Sequence, residues 1–250
     1  QEVAKFHKAC FKLKNILPDW SKTMAIDIEH LLKILHSEDG RFEHRMHIDN
    51  IRQQCDLLFQ NMDSLSANNL PAIPVFVDWN IGNFSVDTDL NFYSRWDYDW
   101  FRMSSRIMDF YFFSRVCSSI GDRTSFSYLI DPIMEERFLW FLEEYHQVYP
   151  LSQVEVLFMK EAYRFFILNY VIKNGRYFFH EIYASRLQQE AHTVYFPELD
   201  QKFDADKILQ RLNLWIADWF KSYRFGKFQV IFADVLAYNL QLLEPRGIRP

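Results

Sequence analysis

IPVFVDWNIGN at Ile73–Asn83, running on through FSVDTDLNFYSRWDYDW to Trp100, is the stretch on which the reading of this chain turns. IPVFV is a short apolar run bounded by Pro71 and Asp78, the pattern of a buried strand. NFSV at Asn83–Val86, DTDLN at Asp87–Asn91 and FYSRWD at Phe92–Asp97 read as strand, turn and strand. With the turn centred near Asp89–Leu90, antiparallel pairing sets Asn83 across from residues around Arg95–Asp97. The amide oxygen of Asn83 and the carboxylate of Asp97 then converge on one ion. Hard oxygen ligands of this kind suit Mg2+, which keeps waters and accepts phosphate oxygens. Asp78, one loop away, is placed to orient an acceptor hydroxyl and take its proton.

The spacing D-x-x-x-x-N is weak by itself. It recurs at Asp56–Asn61, Asp63–Asn68 and Asp234–Asn239, all in expected helices or at a helix end. Only Asp78–Asn83 follows a buried strand and opens a hairpin.

Around this insert the apolar period is helical. Val3, Phe6, Cys10, Leu13 and Leu17 recur at three- and four-residue steps, predicting a helix over Glu2–Leu17 that Pro18 ends. Further helices are expected at Lys22–Leu35, His44–Leu65, Met103–Ser118, Asp131–Gln147, Ser152–Lys173, Tyr177–Glu190, Asp204–Phe220 and Gln229–Leu243, with Asp131 as an N-cap ahead of Pro132. The expected fold is mainly α with a small β-hairpin insert. One unit over 1–250 divides into N-terminal helices (1–72), a catalytic loop with a metal-binding hairpin (73–100) and a helical acceptor-binding part (101–250).

Composition narrows the function. The net charge of -5 comes from mixed acids and bases with no long basic run, which argues against nucleic acid as a partner. FFILNYVI at Phe165–Ile172 is too short to span a membrane and is interrupted by Asn169. Cys10, Cys55 and Cys117 are far apart and odd in number, as expected of reduced thiols in a cytoplasmic protein. Six scattered glycines form neither G-x-G-x-x-G nor G-x-x-x-x-G-K-[ST], so no phosphate-cradling loop is visible. No G-x-S-x-G is present, so a hydrolase triad is unsupported.

FVDWNIGN, then WDYD at Trp96–Asp99, then Asp109 in RIMDFYF resemble the C-terminal lobe of the aminoglycoside phosphotransferase / choline kinase group, small-molecule kinases of protein-kinase-like fold. That group carries H-G-D-x-x-x-x-N, a hairpin leading to I-D-[FW]-[DE], and a further Asp opening a helix. VAKFHKACF at Val3–Phe11 is similar to its L-A-x-x-H helix. The resemblance implies that Asp78 is the catalytic base, that Asn83 and Asp97 hold Mg2+, and that Asp109 braces the loop. Asp99 ranks below Asp97 as a ligand. It also implies ATP as phosphoryl donor, a small-molecule hydroxyl acceptor, and a nucleotide-binding lobe upstream of Gln1. Phe76-Val77 stand where the group has His-Gly. An Asp at a helix start also serves simply as a cap, and that reading of Asp109 stays open.

Trp215, Trp219 and Tyr223 form an i, i+4, i+8 stripe, read as core packing or as an aromatic wall that attracts a cationic amine. Glu135, Glu136, Glu143 and Glu144 read as a solvated acidic face or as an acceptor wall. His44 and His47 sit three apart with no third ligand group nearby, and read as a solvated face. His7 reads as locally packed or hydrogen-bonded. Two rivals to a kinase stand: a non-catalytic kinase-like scaffold, and a purely helical interaction domain in which Asn83 and Asp97 lie far apart.

Overall fold

The computed structural model describes residues 1–17, 21–35, 45–119 and 127–214. The chain is mainly helical with two small antiparallel sheets. Helices α1 (Glu2–Leu13), α2 (Met24–Leu35) and α3 (Ile48–Ser64) come first, each burying one stripe. On α1 the stripe is Ala4, His7 and Cys10; on α3 it is Ile51, Gln54, Cys55, Leu58 and Met62. On α3 this is the face that the three- and four-residue period marks for the core. Helix α1 corrects the expectation: it ends at Leu13 rather than Leu17, and only Cys10 of the expected stripe is buried. Val3 and Phe6 pack at the core's edge, and Leu13 and Leu17 are exposed.

Strand β1 (Ile73–Val75) is buried at all three positions. It pairs not with the next strand but with β4 (Arg102–Ser104), in the register Ile73↔Ser104, Pro74↔Met103 and Val75↔Arg102. Between them β2 (Phe84–Val86) and β3 (Phe92–Arg95) form the hairpin, with Phe84↔Arg95, Ser85↔Ser94 and a register shift before Val86↔Phe92. The hairpin is the one anticipated from the sequence, and β4 corrects the helix expected from Met103. Pairing with a buried partner strand overrides local helical preference there. The chain turns helical only after Ser105, whose hydroxyl accepts the Ile107 N–H at 3.3 Å and starts a 3-10 turn at Arg106–Asp109.

Helix α4 (Phe110–Cys117) follows, buried on nearly every side. Next come α5 (Asp131–Met134), α6 (Glu136–Val148), α7 (Gln153–Phe166), α8 (Gly175–Phe178), α9 (Glu181–Glu190), α10 (Phe196–Lys202) and α11 (Ala205–Arg211). Three expected helices are therefore interrupted. Glu135 is extended (φ -69°, ψ 143°) and splits Asp131–Gln147; its carboxylate accepts the Ser118 hydroxyl at 2.6 Å and the Ser119 N–H at 3.3 Å. Asp131 lies inside α5 rather than capping it. After Phe166 the backbone continues as a π-helix over Ile167–Lys173. Extended backbone at Phe179 and His180 divides Tyr177–Glu190. Helix α7 begins on a capping box, Ser152 with Glu155. The region expected as Gln229–Leu243 lies outside the described residues. Among the described residues no helix is long and apolar enough to cross a membrane.

The core is dense in aromatic rings. Trp79 meets Phe6, Phe76, Phe84, Phe92 and Phe113 with centroids 4.7–5.9 Å apart, bonding the hairpin to α1 and α4. Trp100 packs on Phe112, Phe166, Tyr170 and Phe178. Each such ring contributes roughly 1.5–3 kcal/mol by burial. The two tryptophans thus anchor both ends of the β insert to the helical body.

Candidate active site

The loop after β1 is strained and tightly held. Val77 has φ 61°, an unusual conformation for a β-branched residue. The Asp78 N–H donates to the Phe76 carbonyl at 2.6 Å and the Trp79 N–H to the Val77 carbonyl at 3.0 Å. Asp109 offsets the strain from outside the loop. Its Oδ1 accepts both the Phe76 N–H (2.9 Å) and the Val77 N–H (2.7 Å). Its side chain makes no cap bond to α4, although the residue sits at the N-cap position.

The other oxygen of Asp109 faces His7, with Nε2 3.0 Å from Oδ2 and both side chains fully buried. His7 Nδ1 lies 2.8 Å from the Tyr145 hydroxyl, which also accepts from Arg106 Nη1 at 3.3 Å. Burial raises the Tyr145 phenol far above its ordinary range, so it keeps its proton. Arg106 only donates, so the hydroxyl hydrogen has one place to go, His7 Nδ1. His7 then donates through Nε2 to Asp109. The row continues to Glu155, which accepts from Arg106 Nε at 2.6 Å and Nη2 at 2.9 Å. Five side chains on α1, the 3-10 turn, α6 and α7 thereby fix one loop. The sequence reading of His7 as a local contact is corrected: its partners lie 102 and 138 residues away.

Asp78 is half-buried at the loop's tip. Its Oδ1 accepts from the Asn80 side-chain amide, and from the Asn80 N–H at 3.4 Å. Asn83 Nδ2 donates to the Asp78 carbonyl at 3.3 Å, which commits the nitrogen inward and leaves Oδ1 as the donor atom for a ligand. The Trp96 N–H donates to the Asn83 carbonyl at 3.0 Å. Asn83 therefore sits across from Trp96, one residue from Asp97. Asp97 is exposed, has φ 63°, and accepts the Asp99 N–H at 3.4 Å. Asp78, Asn83 and Asp97 lie on adjoining turns joined by these bonds.

Among the described residues no group of three His, Cys, Asp or Glu side chains is arranged for a metal ion. The pair Asn83 and Asp97 is a smaller, all-oxygen set. In donor chemistry alone it is of the class that Mg2+ takes, one or two protein oxygens with water and phosphate filling the octahedron.

Other candidates resolve differently. Trp215, Trp219 and Tyr223 lie outside the described residues, as does His44. His47 stacks on His192 with centroids 4.2 Å apart, and its Nε2 is 3.2 Å from Gln189 Oε1. The acidic row is engaged: Arg211 pairs with Glu136 and Glu143, each at 2.7 Å, and Gln1 donates to Glu144 at 2.7 Å. Two residues at the site escaped the sequence reading. Asn80 carries no spacing signal, and Arg95 looks like an ordinary hairpin residue.

Compared with known protein families, curated proteins and solved structures, the chain matches none.

Proposed function

We propose that this chain is the acceptor-binding lobe of an ATP- and Mg2+-dependent phosphotransferase of the aminoglycoside phosphotransferase / choline kinase type. Its acceptor is a hydroxyl of a small molecule, of the aminoglycoside, choline or homoserine-like kind. One observation carries the proposal: the Asn83 side-chain amide donates to the Asp78 carbonyl while the Asn83 backbone carbonyl accepts from the Trp96 N–H, so the proposed base and metal ligand share one hydrogen-bonded unit.

In this reading Asp78 accepts the proton of the acceptor hydroxyl. Asn80 donates to Oδ1 of Asp78, orienting the carboxylate. Asn83 and Asp97 hold the metal, which supplies charge neutralisation for the transferring phosphoryl group. Asp109 holds the loop so that little reorganisation is needed, and the protein's contribution is mostly positioning and charge. Three free cysteines suit a cytoplasmic setting.

A second reading, a non-catalytic kinase-like scaffold, draws on Phe76-Val77. Phe76 is buried under Phe6, Trp79, Tyr98 and Phe101, a packing role rather than a polar one. Mg2+-dependent ATP turnover on an acceptor panel, measured with the full-length protein, separates the two. Turnover is expected, falling about 10²- to 10⁴-fold in Asp78→Asn and in Asp97→Asn. No turnover on any acceptor, with no thermal shift from Mg-ATP, would leave the scaffold reading standing.

A further inference from the structure

Arg95 closes β3 and lies beneath the two turns that carry Asp78 and Asp97. It is 8% exposed. Its Nη2 donates to the Asp78 carbonyl at 2.9 Å and its Nη1 to the Asp97 carbonyl at 2.6 Å. The guanidinium carbon lies over Phe76 (4.4 Å), Trp79 (5.1 Å) and Tyr98 (5.1 Å). Among the described residues no carboxylate pairs with Arg95 within 4.0 Å, and its buried Nε has no hydrogen-bond partner. Tyr98 in turn donates its hydroxyl to the Arg95 carbonyl at 2.7 Å.

This is an unusual arrangement for an arginine. Burial drives its pKa down, and the negative charges of Asp109, Asp78 and Asp97 act against that. A desolvated cation is costly unless its donors are used. Here the compensation is three ring faces and two carbonyl oxygens from separate turns. Both carbonyls border left-handed backbone, Val77 next to Asp78 and Asp97 itself, where an unrestrained turn would relax. A planar fork collects two acceptors at a fixed separation. The ammonium of Lys has no such geometry.

We propose that Arg95 is the positioning residue that locks the Asp78 turn to the Asp97 turn, setting the separation between proton acceptor and metal-binding acid. The catalytic part of this role rests on the phosphotransferase reading; the mechanical part does not. The hairpin bond from Trp96 to Asn83 fixes the metal-side amide, and Asn83 and Arg95 together fill both lone-pair directions of the Asp78 carbonyl. Removing Arg95 leaves Asp97 tied only through the hairpin's end.

Two measurements on the full chain test it. The first is hydrogen exchange by mass spectrometry on Arg95→Met, which fills the ring cage, and on Arg95→Lys, which keeps a cation there without the fork. Both variants are expected to exchange about tenfold faster in 76–83 and in 96–101 together. Helices α3, α6 and α7 should stay at the wild-type rate. Loosening of one turn without the other, or spread through the helices, overturns the lock. So does a Lys variant that exchanges like wild type. The second is steady-state turnover: the apparent KM for Mg2+ should rise about tenfold and kcat fall about 10²-fold, with the acceptor KM unchanged. Loss confined to the acceptor KM, or no loss, overturns the catalytic role. Full-length wild-type protein without turnover overturns both the phosphotransferase reading and the catalytic role, while the exchange data still decide the lock.

Discussion

Asp109 shows how much of the site depends on single atoms. Its Oδ1 satisfies two buried amides of a strained loop, and its Oδ2 satisfies His7. An unsatisfied buried donor costs about 1–3 kcal/mol. Asp109→Ala leaves three and should lower unfolding stability by about 3–5 kcal/mol in denaturant titration. Asp109→Asn keeps one oxygen for the two amides but turns an NH2 toward the donating His7, costing about 1–2 kcal/mol. His7 should respond in kind. His7→Ala strands the Tyr145 hydroxyl hydrogen and Asp109 Oδ2, whereas a merely local contact would be nearly silent. The aspartate and asparagine at Asp78–Asn83 were legible from spacing plus context. Arg95 and Asn80 were not, because their partners are backbone carbonyls and a neighbouring carboxylate, which leave no pattern in the sequence.

At the scale of elements, the hairpin was legible because strand alternation and its turn are local. Its register puts Asn83 beside Trp96 as the turn position requires. Strand β4 was hidden: Arg102–Ser104 is three residues long, and only its pairing with Ile73–Val75 makes it a strand. The turn between β3 and β4 holds Asp97 at φ 63°, a conformation that suits glycine better than an acid. Asp97→Gly should therefore raise unfolding stability by about 1 kcal/mol, since its carbonyl still meets Arg95. On the proposed role of Asp97 as a Mg2+ ligand, Mg2+ should stabilise the wild-type chain and fail to stabilise this variant. A stability curve with and without Mg2+ checks both parts. Equal Mg2+ response in the two proteins would remove Asp97 from the metal site. Helix interruptions at Glu135 and after Phe166 were equally hidden, since neither carries Pro or Gly to mark a break.

At the scale of the whole molecule, three thiols report on the core. Burial pushes Cys55 up to about 12 and Cys10 and Cys117 up to about 11, with Asp109 adding to the rise at Cys10. In the unfolded chain these thiols ionise near 9. A folded state that holds its protons more tightly loses stability as pH climbs above that value and keeps it below. Unfolding stability should be flat in this respect through neutral pH and decline between about 9 and 12. Alkylation at neutral pH should label Cys10 and Cys55 only on unfolding. Rapid labelling of folded Cys55 would contradict the packing of α3. What the sequence determined by itself is local: the α3 stripe from its period, the β1 run from Pro71 to Asp78, the hairpin, and the placing of Asp78, Asn83 and Asp97 along it. Only the tertiary structure decided what joins them. The reach of Asp109 to Phe76 and Val77 spans 33 and 32 residues, that of His7 to Asp109 spans 102, and that of Arg95 to Asp78 spans 17. Such bonds form because burial makes an unpaired polar atom expensive, and which atoms meet depends on how the helices pack rather than on any neighbouring letters.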